Sequence, residues 1–237
     1  MNYKLTARAQ IILVWWALIT MLIFGFSMFL LMHMVPPPSA ALSPAEIAQF
    51  YKDNQMSIRV GAMITSWTSA FMVPLAIVIS WQMRRIEQCN GLLSMAQLLG
   101  GGLMSMFLVF PPMLWGFAAF TPDRAVEITA TLHEMGSLTL ATTDQFYMFQ
   151  LFAIIYISLA YKNDELSPFP RWMGWLTLWA CIIYEVGPLG FMFKTGVFAW
   201  DGIVVFWMPF VTFGAWISAM SFMLLRAIKR QSLAAAS

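Results

Sequence analysis

Residues 11–32 read IILVWWALITMLIFGFSMFLLM, an apolar run that contains no charged side chain. An α-helix needs roughly 20 apolar residues to cross about 30 Å of hydrocarbon, so this run is long enough for one crossing. It is too long for the apolar core of a secretory signal peptide, and no small-residue cleavage pattern follows it near His33. We therefore expect a first transmembrane helix at about residues 11–33.

The rest of the chain has the same apolar character. Of its 237 residues, 60% are hydrophobic and only 10% are charged, whereas about a quarter of the residues in a soluble domain are charged. Five further apolar runs reach the length of a crossing. We predict an all-α integral membrane protein, a single domain over residues 1–237, whose bundle has about six transmembrane helices at about residues 11–33, 60–83, 92–120, 138–161, 172–193 and 203–225.

Several basic residues fall on one side of the membrane if the predicted spans are counted in order. Arg84 and Arg85 follow the second span, Arg171 precedes the fifth, and Arg226 and Arg230 follow the sixth. Cytoplasmic loops of membrane proteins are enriched in Lys and Arg, so we expect both termini to be cytoplasmic. This topology accounts for the net charge of +2 and gives no reason to expect a nucleic-acid partner.

The loop between the first two spans contains VPPPSAALSPAEIAQFYKDNQMSIR, residues 35–59. Ser43 is a typical N-cap residue, Pro44 suits the first helical turn, and Glu46 can complete a capping box. We predict short amphipathic helices in the outer loops, the clearest at about residues 44–54, either as a packed connector or as a lid over an outer opening. The outer loops are longer than the inner ones, so we expect any binding surface to face outward.

Three segments carry a resemblance to known proteins: VPPPSAALSPAEIAQFYKDNQMSIRVGAM (residues 35–63), SPFPRWMGWLTLW (167–179) and GVFAWDGIVVFWMPF (196–210). They resemble a family of bacterial multi-pass inner-membrane proteins of about six helices. The matching features are structural: a proline-rich outer loop, a Pro-Arg-Trp helix start and an outer Trp-Asp-Gly turn. The resemblance implies a location in the lipid bilayer of a bacterial inner membrane and assigns no catalytic residue, because the family has no settled activity.

Catalytic motifs of soluble enzymes are absent from the sequence. It has no Walker loop, no GxSxG elbow, no HExxH and no paired CxxC. Cys89 is expected in an inner turn and Cys181 within a span, so the two lie at different depths and we expect no disulfide. The sequence identifies no cofactor and favours a non-enzymatic role.

Two of the 11 acidic residues fall within predicted spans, Asp144 in the fourth and Glu185 in the fifth. A carboxylate at the centre of a membrane helix costs about 2.5–3.5 kcal/mol on insertion scales, so such residues normally face protein or water. At about 1.5 Å per residue, both lie in the outer half, roughly 25 and 20 Å above the inner boundary. Glu185 belongs to YEVGPLGFMFKTG, residues 184–196, where Gly187-Pro188 predicts a kink. We expect the two carboxylates to be neighbours.

Other polar residues are expected at a similar depth. Tyr147 lies three residues after Asp144 and shares its helix face. Ser66 and Ser69 lie on the second span, and Arg59 lies nearer its outer end. We expect these side chains and the two carboxylates to line an outward-facing polar cavity that binds a ligand or couples to protons.

A structural role is the alternative for the two carboxylates. Asp144 and Glu185 would then pair with Arg59, Lys194 or backbone donors and fix the packing of the helices. The sequence leaves both interpretations open.

A metal site is a further alternative. His33 and His133 both lie on the predicted outer side, each beside a methionine, and imidazole and thioether groups suit copper. The spacing of the two residues is not a metal-ligand signature, and neither lies centrally enough for a bis-His haem. Copper is therefore a minor alternative.

These observations lead to three hypotheses of function. The first is a small permease or binding protein for an apolar or amphipathic small molecule, with its polar cavity at Asp144 and Glu185. The second is a non-catalytic subunit or scaffold of a larger membrane complex, in which aromatic and Met-rich surfaces contact membrane-protein partners or a second copy of the chain. The third, a membrane enzyme that uses the two carboxylates as acid and base, ranks last because no nucleophile, metal or cofactor motif accompanies them.

Overall fold

The computed structural model describes residues 3–121, 123–161 and 166–235. Within these residues the regular structure is entirely helical, without a strand. The α-helices are α1 (Tyr3–Phe26), α2 (Pro44–Asp53), α3 (Gln55–Thr68), α4 (Met72–Met83), α5 (Leu92–Phe120), α6 (Val126–Thr142), α7 (Gln145–Ala160), α8 (Arg171–Tyr184) and α9 (Met208–Ala234). Short π-helical segments occupy Ser27–Leu31 and Ile203–Trp207, and 3₁₀ turns occupy Ser69–Phe71 and Gly187–Phe191.

Five helical stretches in the described part of the chain are long and apolar enough to cross a membrane. Each reaches the length of roughly 20 residues that the hydrocarbon core requires. They cover Thr6–Leu31, Gln55–Met83, Leu92–Phe120, Arg171–Phe191 and Ile203–Ala234. The predicted all-helical architecture is confirmed, and these five helices indicate a membrane protein.

The span predicted at residues 138–161 is not one continuous helix. α6 ends at Thr142 and α7 begins at Gln145, which leaves two helices of 17 and 16 residues. Side chains satisfy the backbone here, because the Thr142 and Thr143 hydroxyls donate to carbonyls one turn back and the Gln145 amide donates to the Thr142 carbonyl at 2.6 Å. Such local hydrogen bonds compete with the helical ladder and account for the break.

The span predicted at residues 172–193 also changes conformation along its length. α8 ends at Tyr184, and a 3₁₀ turn begins at Gly187. Pro188 has no amide hydrogen with which to continue an α-helix. Gly187 lies directly against the carbonyl oxygen of Ala141 in α6, where a β-carbon would not fit. The two interrupted helices therefore contact each other beside their breaks.

The helices form a closed ring. α1 packs against α9 on one side and against α3 and α4 on the other, and α5 packs against α3 and α4. α5 also packs against α6 and α7, and α8 lies between α7 and α9. The buried core inside the ring includes the large side chains of Trp115, Tyr147 and Trp216. Any space that the ring encloses is therefore bordered by helices from all parts of the chain.

Buried amides join three helices at one side of the bundle. Gln10 of α1, Gln82 of α4 and Gln231 of α9 form what we call the glutamine cluster. Gln82 donates to the Gln10 side-chain oxygen at 2.7 Å, and the Gln82 and Gln231 amides donate to each other at 3.2 and 2.9 Å. Gln231 also donates to the Leu166 carbonyl at 2.8 Å. Because α1 begins and α9 ends here, we call this the termini side of the bundle.

α2 packs against α6 on the side opposite the termini. Its capping box is complete: the Glu46 amide donates to the Ser43 hydroxyl at 3.3 Å, and the Ser43 amide donates to the Glu46 carboxylate at 2.8 Å. Ile47 and Tyr51 are buried. α2 occupies the segment for which the sequence predicts a short helix, and it is a packed element of the bundle.

Candidate functional site

A cavity of about 580 Å³ lies inside the ring, in the half farther from the glutamine cluster. α1, the start of α9, α5, the α6–α7 junction and the end of α8 all contribute to its wall. The lining is almost entirely apolar or aromatic, as Phe24, Met104 and Phe213 illustrate. No Lys, Arg or His is among the described residues that line it. The cavity is an apolar chamber with a few polar groups.

The cavity extends to the bundle surface between α1 and α9. Phe26 and Val211 line the cavity and yet are 59% and 62% exposed. A β-carbon added to Gly25 or to Gly214, which also line the cavity, would meet no other atom within 4 Å. α1 and α9 are joined at the termini side by the glutamine cluster but separate here. We call this opening the α1–α9 gap.

Irregular helical segments surround the cavity. Both π segments, Ser27–Leu31 and Ile203–Trp207, contribute lining residues, and the 3₁₀ turn Ser69–Phe71 contributes Phe71. The break between α6 and α7 borders the cavity as well. π segments are frequent at functional sites, and interrupted helices often form the binding sites of membrane transporters. The positions of the irregularities therefore identify this cavity as the candidate site.

Three oxygen atoms of residues that line the cavity are buried without a hydrogen-bond partner among the described residues: Asp144 Oδ2, Tyr147 Oη and Tyr184 Oη. We call them the oxygen cluster. Tyr147 and Tyr184 are only 1% and 6% exposed, and their ring centroids lie 5.7 Å apart. Buried polar atoms in proteins are nearly always hydrogen-bonded, so three unpartnered oxygens in one wall require an explanation.

The break between α6 and α7 positions the carboxylate of this cluster. Asp144 is the residue before α7, where an Asp commonly caps the helix, but its side chain makes no capping hydrogen bond. Its Oδ1 accepts a hydrogen bond from Gln145 Nε2 at 3.3 Å. Tyr147 lies three residues further along the chain and lines the same cavity, on the helix face where the sequence places it.

Glu185 lies beside the cavity and does not line it. Its side chain is exposed, whereas the preceding residue, Tyr184, is buried in the wall. Successive side chains at the end of a helix point in different directions, which accounts for the contrast. Glu185 follows the lining residue Tyr184 directly in the chain, so it borders the site without lining it.

Three residues that the sequence places around the cavity lie elsewhere. Arg59 lies over the Phe120 ring, 5.2 Å from its centroid. The Ser66 and Ser69 hydroxyls donate to backbone carbonyls of their own helical segment at 2.7 and 3.3 Å. None of the three lines the cavity, because the serines bond locally and the 3₁₀ turn presents Phe71 instead. The expected polar wall is therefore largely apolar on this side.

The ion pairs of the structural alternative do not form among the described residues. Neither Asp144 nor Glu185 has a salt bridge in this part of the chain. Lys194 pairs with Glu134 at 3.9 Å instead, and Arg59 lies on an aromatic ring. The basic residues that the sequence offers as partners are therefore engaged elsewhere.

His133 is a hydrogen-bonded core residue. Its Nδ1 lies 3.0 Å from the Tyr51 hydroxyl, and its Nε2 lies 3.2 Å from the Pro38 carbonyl oxygen, which also accepts a hydrogen bond from the Trp200 indole at 2.9 Å. A neutral ring that donates from Nε2 and accepts at Nδ1 satisfies both contacts. Burial lowers the pKa of His133 to about 4.

The structure does not assemble the copper site considered from the sequence. His33 is exposed and adopts a positive φ of 56°, while both ring nitrogens of His133 already have protein partners. Among the described residues, no group of three His, Cys, Asp or Glu side chains is placed to hold a metal ion.

Sequence reasoning missed Tyr184 and the α1–α9 gap. Tyr184 precedes a carboxylate within an apolar span, and a phenol in that position is a signal for a polar site. Gly25 and Gly214 are single glycines within runs of bulky residues. Each glycine leaves a space on the surface of its helix. The sequence alone does not predict that α1 and α9 are neighbours, so it does not predict that the two spaces adjoin.

No family model, curated protein or solved structure matches the chain. The resemblance carried by residues 35–63, 167–179 and 196–210 therefore stays a prediction. Function has to be inferred from the geometry and chemistry of the cavity.

Proposed function

We propose that the chain is a multi-pass membrane protein that binds an apolar or amphipathic small molecule in this cavity, as a binding protein or a small permease. The observation that carries the proposal is the combination of an apolar chamber of about 580 Å³ with three unpartnered oxygens in its wall. The apolar wall holds the body of the molecule, and the oxygen cluster binds its polar end.

The size and chemistry of the cavity support the proposal. Small-molecule sites typically measure about 300–1,000 Å³ and have apolar walls with a few polar groups that fix orientation. A buried carboxylate or hydroxyl without a partner costs about 1–3 kcal/mol or more, and a bound ligand recovers part of that cost by hydrogen bonding. An amphipathic ligand matches both parts of the wall.

We propose a sixth crossing formed by the end of α6 and by α7, at about residues 138–161. α6 and α7 follow one another along α5: the Trp115 indole donates to the His133 carbonyl at 3.4 Å near one end of α5, and Gly100 lies against the backbone of Gln150 nearer the other. α5 has 29 residues, about 44 Å of helix, so a partner of comparable length spans the bilayer too. His133 lies before this crossing.

Six crossings place both termini on the same side, which the arginine distribution predicts to be cytoplasmic. The setting that we propose is a bacterial inner membrane. The cavity then lies in the outer half of the bilayer, on the side of α2. Interrupted helices at such a depth are typical of permeases, in which they border the substrate.

Photoaffinity labelling tests the proposal. The full chain in phospholipid nanodiscs is irradiated with a dodecanol that carries a diazirine at mid-chain, and labelled residues are located by mass spectrometry. We expect a saturable fraction of the label on residues of the α1–α9 gap and the oxygen cluster, and we expect excess unlabelled dodecanol to remove it. Label spread over the lipid-facing helices without competition would contradict a binding cavity.

A pair of glycine substitutions controls this experiment. Gly25→Leu adds a side chain whose β-carbon meets no atom within 4 Å, so it occupies part of the α1–α9 gap and should abolish the saturable fraction. Gly102→Leu also adds a side chain into open space, but Gly102 does not line the cavity, so this variant should label like the wild type. Equal labelling of both variants would overturn the proposal.

A further inference from the structure

We infer that the ligand of this cavity is a lipophilic organic cation, with a positively charged group at the oxygen cluster and an apolar body in the α1–α9 gap. The inference rests on the proposed function and adds the charge of the ligand to it. It follows from the charges, the aromatic rings and the opening of the cavity.

The charge of the site is negative and uncompensated. Asp144 lines the cavity, Glu185 directly follows the lining residue Tyr184, and no described lining residue is basic. Among the described residues, the side chain that donates a hydrogen bond to the Asp144 carboxylate is a neutral amide, that of Gln145. An anionic ligand would be repelled here, whereas a cation supplies the counter-charge that the protein does not.

The rings around the carboxylate suit a cation as well. The Tyr147 ring lies 5.7 Å from Tyr184 and 5.9 Å from Phe213, measured between centroids, and Tyr184 lies 6.5 Å from Phe213. All three residues line the cavity. Faces of aromatic rings attract cations, most strongly in desolvated sites, and clustered rings bind quaternary ammonium groups. Three rings beside one carboxylate therefore form a site for an organic cation.

The opening of the cavity fits the apolar body of such a molecule. Phe26 and Val211 line the cavity and also belong to the apolar outer surface of the bundle. Gly25 and Gly214 leave space between them. A lipophilic cation dissolved in the bilayer can therefore reach Asp144 sideways through the α1–α9 gap, without passing through the packed loops on the α2 side.

Three probes test the inference, and two of them have the same shape and opposite charge. The full chain is reconstituted in nanodiscs of uncharged phospholipid, and saturable binding of radiolabelled tetraphenylphosphonium, tetraphenylborate and neutral triphenylphosphine is measured against empty nanodiscs. We expect saturable binding of tetraphenylphosphonium, at least about tenfold weaker binding of triphenylphosphine, and no saturable binding of the borate. Binding of the borate or of triphenylphosphine as tight as that of the phosphonium would overturn the inference.

Substitution of the carboxylate localises the effect. Asp144→Asn keeps the shape of the side chain and removes its charge, so phosphonium affinity should fall by at least about tenfold, the effect of losing one charge-assisted contact. Asp123→Asn removes the same charge from the exposed surface and should leave the affinity unchanged. Thermal unfolding of both variants verifies that they are folded.

The outcomes separate this inference from the proposed function. If the neutral probe binds as well as the cation and Gly25→Leu abolishes both, the cavity binds ligands but does not select cations. Equal phosphonium affinity in wild type and folded Asp144→Asn would also show that the cavity does not select cations through Asp144. If no probe binds saturably, or if binding is insensitive to Gly25→Leu, both the inference and the proposed function are contradicted.

Discussion

Two buried polar clusters of this bundle differ in their hydrogen bonds. In the glutamine cluster, Gln10, Gln82 and Gln231 hold one another at 2.7–3.2 Å. In the oxygen cluster, buried atoms of Asp144, Tyr147 and Tyr184 have no partner in the described part of the chain. The glutamine cluster joins α1, α4 and α9, which are far apart in the sequence, whereas the oxygen cluster lies between the consecutive helices α7 and α8.

In our proposal, the contrast separates a structural from a functional use of buried polar groups. In a medium of low dielectric constant, satisfied hydrogen bonds fix the helices that they join, while an unsatisfied polar group costs stability. A bundle can retain unsatisfied groups where a ligand completes them, and intramembrane ionisable residues are functional candidates for this reason. The glutamine cluster therefore holds α1 and α9 together at the termini side, and the oxygen cluster lines the cavity that opens between the same two helices.

Breaking the glutamine cluster should have the largest effect on stability. Gln82→Leu removes the three hydrogen bonds that Gln82 makes to Gln10 and Gln231. At about 1 kcal/mol for each hydrogen bond lost, we expect a loss of about 3 kcal/mol in the free energy of unfolding. Denaturant titration of the purified protein, followed by circular dichroism, measures it. Gln49→Leu, which replaces an exposed glutamine on α2, should cost less than about 0.5 kcal/mol.

Equal stabilities of the two glutamine variants would contradict a structural role for the glutamine cluster. The glutamine cluster could then no longer serve as the stabilising example with which the oxygen cluster is compared.

A buried, hydrogen-bonded histidine extends the comparison to the pH dependence of stability. His133 is satisfied when neutral, and its folded pKa of about 4 lies below the usual value of 6.5. Below pH 6.5 the unfolded chain binds a proton that the folded chain does not. The free energy of unfolding is therefore unaffected by His133 above this pH and falls as the pH drops from 6.5 to the folded pKa of about 4. The loss should reach about 2 kcal/mol at pH 5.

Denaturant titrations between pH 7.5 and 5 measure this loss. His133→Gln should remove most of the decrease in the free energy of unfolding between pH 6.5 and 5. Replacement of the exposed histidine, His33→Asn, should leave that decrease unchanged. A wild-type slope in His133→Gln would assign the pH dependence to other groups.

Removing a member of the oxygen cluster should have the smallest effect on stability. Tyr147→Phe deletes a hydroxyl that has no partner in the described structure, so no hydrogen bond is lost and the free energy of unfolding should stay within about 0.5 kcal/mol of wild type. The same denaturant titration measures it. A loss as large as that of Gln82→Leu would reveal a structural hydrogen bond at Tyr147 and remove the distinction between the clusters.

The sequence predicts much of the helical layout. The span expected at residues 92–120 coincides with α5, Leu92–Phe120, and the other four apolar helical stretches differ from the expected spans mainly at their ends. The break at Thr143-Asp144 contains no proline, whereas α5 continues through Pro111 and Pro112. Proline is therefore an incomplete guide to interruptions, because local hydrogen bonds from Thr and Gln side chains also end helices.

The sequence predicts part of the candidate site. Asp144 and Tyr147 both line the cavity, since they share one helix face and that face points inward. Ser66 and Ser69 were expected there from their depth alone, and depth says nothing about the direction in which a side chain points. Tyr184 and Glu185 show how much direction matters, because one is buried in the wall and its neighbour is exposed.

Apolar length and rare charges determine by themselves that this chain forms membrane helices, because hydrocarbon of fixed thickness demands runs of about 20 apolar residues whose backbone bonds are internal. They also mark Asp144 and Glu185 as unusual. Only the tertiary structure decides what surrounds these residues. Each residue turns a helix by about 100°, so the rotation of a helix and the gap between distant helices such as α1 and α9 determine which side chains share a cavity.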